Sequence, residues 1–62
     1  MLNESIIKHY RKAQNMKRGF IPYSHKEYEI HVKVMYFHIR YNGLMESDNQ
    51  IIKNAIRMYS EL

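Results

Sequence analysis

The stretch His31–Gly43, HVKVMYFHIRYNG, constrains the fold more than any other part of the chain. Its β-branched and aromatic residues suit a strand, whereas Asn42-Gly43 suits the left-handed stop of a helix. Extended back to Ser24, the segment alternates Tyr28, Ile30, Val32 and Val34 with Glu29, His31 and Lys33, then breaks where Met35, Tyr36 and Phe37 run together. A strand over 28–41 would be unusually long and would find only GFIPY to pair with inside the chain. As a helix the segment has both its ends. Ser24 and Glu27 stand at capping-box spacing, and Leu44 follows Asn42-Gly43 where a closing apolar contact belongs.

Wound at about 100° per residue, the segment presents two apolar faces. Tyr28, Val32, Met35, Tyr36 and Ile39 share one; Ile30, Val34, Phe37 and Tyr41 share the other. Glu29, Lys33 and Arg40 occupy one seam, His31 and His38 the opposite one. A helix apolar on two sides must be covered on both. Flanking helices can take the first face. A second subunit or another partner is expected on Ile30, Val34, Phe37 and Tyr41.

The length sharpens that expectation. A chain of 62 residues buries only about 60% of the surface its unfolded form exposes, so small scaffolds usually need a disulfide, a metal or a partner. There is no cysteine, which removes disulfides and thiolate zinc sites. Self-association remains, and a homodimer is expected.

Asn3 can cap a first helix, with Ile6, Tyr10 and Ala13 as its apolar stripe, Leu2, Ile7 and Met16 beside it, and Gly19 to end it. Pro22 keeps GFIPYSHKE from helical continuation, and its apolar Phe20, Ile21 and Tyr23 are expected to be pinned on the core. Ser47 and Gln50 repeat the capping-box spacing before a last helix whose Ile51, Ile52, Ala55, Ile56, Met58, Tyr59 and Leu62 share a face. The spacing predicts one all-α, small three-helix domain, with helices over residues 3–18, 25–41 and 48–61. The alternative is an α-β-β-α arrangement with a hairpin at 19–37.

The net charge of +4 is uneven. Lys8, Arg11, Lys12, Lys17, Arg18 and Lys26 face only Glu4 in the first 26 residues, while the rest of the chain is slightly acidic. Such asymmetry points to a polyanionic partner, although ordinary solubility charge on an exposed helix would look similar. Helix, Gly-containing turn and helix form the skeleton of a helix-turn-helix. In that reading Asn49, Gln50, Lys53, Asn54 and Arg57 face base edges, because Asn and Gln suit adenine and Arg or Lys suits guanine. Lys8, Arg11, Lys12 and Arg18 then hold phosphates. Any solvated helix of this composition would offer comparable residues, and Glu46 and Asp48 are unwelcome beside phosphates.

Six tyrosines and five methionines support a competing function. Both residue types adapt to partner surfaces, as in a small protein that docks on and modulates a larger host protein. Core packing would consume them equally well. Richness in Ile, Lys, Asn and Tyr suits an AT-rich coding genome, of a phage or plasmid type. No apolar run reaches the length of a signal peptide or membrane span, so a cytoplasmic location without membrane contact is expected.

Catalysis and cofactors are not expected. The chain has no Cys nucleophile or Gly-rich phosphate loop, and Ser24 and Ser47 read as caps, with Ser5 and Ser60 at helix boundaries or in polar contexts. His9, His25, His31 and His38 raise a metal reading, but Glu27, His31 and His38 spread over three turns and do not converge on one ion. His31 and His38 read instead as surface or dimer-seam residues.

The tail NGLMESDNQIIKNAIRMYSEL resembles the second helix of ribbon-helix-helix repressors, in which a Ser-type cap precedes an Ile-rich amphipathic helix of an intertwined dimer. The resemblance covers about a third of the chain. It implies a groove-entering strand at KRGFIPYS, which Pro22 interrupts, and the helix at 3–18 has no counterpart in the minimal fold. Membership is not inferred.

Overall fold

Each helix begins where a polar side chain replaces a missing backbone acceptor. In the computed structural model, which describes residues 3–62, these helices are α1 (Glu4–Lys17), α2 (His25–Tyr41) and α3 (Gln50–Ser60). Leu2, expected beside the apolar stripe of α1, lies outside the described residues. The Asn3 side chain accepts from the Ser5 amide at 2.7 Å, and Ser24 Oγ accepts from the Glu27 amide at 3.4 Å. The start of α3 differs from the expected residue 48. Asn49 is the cap, accepting from the amides of Ile51 and Ile52, while Ser47 Oγ accepts from the Asn49 amide instead. Asn reaches the same orphan amides as Ser, so the cap moved to the position closer to the apolar stripe.

Two helices end in the same way. Gly19 and Gly43 take φ of +79° and +67°, the left-handed region that glycine enters without a Cβ penalty. The amides of Gly43 and Leu44 then return to the carbonyls of Arg40 and Ile39, and those of Gly19 and Phe20 to Met16 and Asn15. Both are Schellman closures. Leu44 packs on the core as such a closure favours. Phe20, in the equivalent position after α1, is 70% exposed, and Tyr23 is 55% exposed. The expectation that both are pinned on the core is therefore corrected. Of that connection only Ile21 packs inward, because Pro22 turns the chain outward before Ser24 starts α2.

Ile6, Ala13 and Met16 of α1, Tyr28, Val32, Met35 and Ile39 of α2, and Ile52, Ala55 and Met58 of α3 form the core. Tyr10 bonds Asn54 and Lys17 meets Glu61, so α1 and α3 run parallel, with α2 returning between them. No strand occurs among the described residues, and no helix there is long and apolar enough to cross a membrane.

The two faces of α2 part as their spacing requires. The first is buried, except for half-buried Tyr36. On the second, Ile30 is 50%, Phe37 64% and Tyr41 79% exposed, and Val34 is half-buried. Tyr59, in the last turn of α3, and Leu62, beyond its end, also stay at the surface.

Candidate nucleic-acid interface

The basic face of α1 follows from its stripe. With Ile6, Ala13 and Met16 buried, helical spacing sends Lys8, Arg11, Lys12 and Arg18 to the opposite side, where all four are exposed. Among the described residues the ion pairs are Lys17–Glu61 at 3.9 Å and Glu29–Lys33 at 3.2 Å. None of the four phosphate candidates has a carboxylate partner there. A shallow hollow bounded by Glu4, Ile7, Lys8, Arg11 and Lys12 lies along this side, so one carboxylate borders the cations without pairing with them.

The proposed reader on α3 is more committed. Asn49 spends its side chain on the cap. Asn54 Nδ2 donates to Tyr10 Oη at 3.0 Å, and Asn54 Oδ1 accepts from Gln50 Nε2 at 3.0 Å and from Arg57 at 2.7 Å. Gln14 Nε2 also donates to Tyr10 Oη at 3.0 Å. Tyr10 thus joins α1 to α3 through a polar chain, and only Lys53 among the five reader candidates points freely into solvent. The connection from α2 to α3 spans residues 42–49, longer than the roughly three- or four-residue turn of a helix-turn-helix.

A second cationic feature was not read from the sequence as a unit. Tyr36 of α2 stacks on Tyr59 of α3 with centroids 3.8 Å apart and planes 3° from parallel. Phe37 and Tyr41 lie 6.0 Å apart and 14° from parallel, and the Arg40 guanidinium sits 5.9 Å from the Tyr36 centroid. With Lys33 these residues line an open groove. The surplus of tyrosines was its only sequence signal.

The histidines assemble across helices. His9 Nδ1 and His31 Nδ1 are 2.8 Å apart, so one ring donates and the other, neutral, accepts. Burial, followed by the nearby charges of His31, Lys8, His38 and Lys12, holds the His9 imidazole below its ordinary value. Glu27 and His31 border another surface hollow with Lys12. Among the described residues no three His, Asp or Glu side chains converge as a metal site. His25 bonds Tyr23 Oη at 2.8 Å.

No protein-family model matches this chain, and no curated protein or solved structure matches it.

Proposed function

We propose that the protein is a small cytoplasmic regulator that binds nucleic acid, with α1 as its phosphate anchor. The observation that carries this reading is the row Lys8, Arg11, Lys12 and Arg18, exposed and free of carboxylate partners among the described residues. At about 1.5 Å per residue the row runs some 15 Å along the helix, enough to track a phosphate backbone. Base contact by Gln50, Asn54 or Arg57 would break the hydrogen bonds to Tyr10 and within α3, so Lys53 is the side chain of α3 that reaches a duplex first. The reading favours backbone anchoring with limited base selection over the turn geometry of a helix-turn-helix.

Duplex binding measured across salt concentrations tests it. Four phosphate contacts give a log–log slope of about −3.6, or roughly a 150-fold loss of affinity between about 50 and 200 mM salt. Replacing Lys8, Arg11 and Lys12 together with Ala should flatten the slope to about −0.9. Absent or salt-independent duplex binding would refute the anchor.

One observation favours a second reading, docking on a larger protein. Phe20 and Tyr23 stand exposed on the connection between α1 and α2, where a partner pocket could take them. Capture of a defined partner that is lost in the double change Phe20→Ser and Tyr23→Ser, with no duplex binding by the native chain, would favour it.

A further inference from the structure

We infer that the groove between α2 and α3 is a separate site for single-stranded nucleic acid, with bases stacking on Phe37 and Tyr41 and phosphates held by Arg40 and Lys33. The inference takes from the preceding reading only that the partner is a nucleic acid. It concerns a different surface and a different form of that partner.

The lining carries the argument. Lys33, Tyr36, Phe37, Arg40, Tyr41 and Tyr59 are all aromatic or cationic. Among the described residues no aliphatic side chain lines the groove itself, while exposed Ile30 and half-buried Val34 continue the same face of α2 beyond it. Stacked rings interleaved with cations are what a single strand needs, because each unpaired base offers a π-face and each linkage a negative charge.

The floor of the groove joins two helices. Tyr36 and Tyr59 stack face to face on nearly parallel planes, tying the floor to both helices. Phe37 and Tyr41 stand one turn apart on α2 with nearly parallel rings, and at 64% and 79% exposure their faces are open to a base. Arg40 lies over Tyr36, which leaves guanidinium N–H groups for phosphate. Lys33 is held by Glu29 on one side; an incoming phosphate competes for it in the same exposed position.

Charge separates this occupant from a second copy of the chain. A twofold contact across the groove would bring two sets of Lys33 and Arg40 together, with Glu29 already paired to Lys33 in each copy. A paired duplex fits no better, since its bases are already stacked and present edges rather than faces.

The test uses the whole chain with a fluorescent twelve-nucleotide oligothymidine, the same oligomer without bases, a duplex of equal length and an oligoglutamate. The oligothymidine should bind, and Tyr41→Ala or Phe37→Ala should weaken it about 5- to 150-fold per ring, with duplex affinity and helical circular dichroism unchanged. The baseless oligomer should bind weakly. Tyr41→Trp should preserve affinity and, as the sole tryptophan in the chain, lose fluorescence on binding. Unchanged oligothymidine affinity in both Ala variants overturns the inference, as does equal binding of the baseless oligomer or the oligoglutamate. A concentration-dependent dimer that Tyr41→Ala dissolves assigns the face to a second copy and also overturns it. Loss of all single-strand binding on removing Lys8, Arg11 and Lys12, with no effect at Phe37 or Tyr41, would leave α1 as the anchor and remove this site. Stacking-dependent single-strand binding without duplex binding would do the reverse.

Discussion

Ile30 and Ile39 belong to the same helix, carry the same side chain and differ in burial, so an identical substitution at each isolates the packing of α2. Ile39 is 0% exposed and Ile30 is 50% exposed. Removing one methylene as Ile39→Val takes apolar volume from a closed core and should cost about 0.5–1.5 kcal/mol. The same change at Ile30 removes a group already half in water, and Val and Ile have similar helix propensities, so it should stay within about 0.5 kcal/mol. At about 0.05–0.15 kcal/mol per residue the chain has roughly 3–9 kcal/mol of stability, so both variants remain folded. With a urea m-value near 1 kcal/mol/M for a chain this small, Ile39→Val should lower the unfolding midpoint by about 0.5–1.5 M, and Ile30→Val by less than about 0.5 M. Equal shifts would refute the assignment of Ile30 to an uncovered face. A shift at Ile30 that grows with protein concentration would mean that another copy buries it.

Four further outcomes follow from local geometry. Gly43→Ala should destabilise by about 1–2 kcal/mol in urea unfolding, a cost of backbone conformation alone, since among the described residues nothing beyond its own chain neighbours lies within 4 Å of the added Cβ. Asn49→Ala should lose about 0.5–2 kcal/mol of cap energy and exceed the loss in Ser47→Ala, because Asn49 holds two amides of α3. Tyr10→Phe should cost about 0.5–1.5 kcal/mol by releasing Asn54 and Gln14, which the native hydroxyl joins. For His9 the folded value lies below the unfolded 6.5, so the unfolded chain binds the proton more readily; stability is complete above 6.5, declines as pH falls through 6.5 to the folded value, and levels off below it. Urea midpoints across that window should fall in the native chain and flatten in His9→Gln.

What the sequence disclosed was local. The bounds of α2 were readable because Ser24 and Asn42-Gly43 sit in register with one apolar stripe, and cap chemistry depends on neighbours a few residues apart. The exposed basic face of α1 was readable for the same reason. The start of α3 was less so, because Ser47 and Asn49 are both good caps and only the packing of Ile52 decides between them. The contacts that define the candidate sites lie further off. His9 reaches His31 across 22 positions, and Tyr10 reaches Asn54 across 44. Periodicity says which residues share a face of one helix. It does not say how that helix is rotated against another, so the engagement of Gln50, Asn54 and Arg57, and the meeting of Tyr36 with Tyr59, were beyond it. Phe20 and Tyr23 were misjudged because apolar character in a connection implies burial only where the chain has room to turn back.

Thiol accessibility along α2 tests the account at its root, since the chain has no cysteine of its own and each introduced thiol reports alone. Maleimide labelling under native conditions should be fast in Ile30→Cys, Phe37→Cys and Tyr41→Cys, and slow in Val32→Cys, Met35→Cys and Ile39→Cys. Labelling that alternated residue by residue, with positions 35, 37, 39 and 41 behaving alike, or equal protection of both sets, would contradict a central helix with one face in the core and the other open.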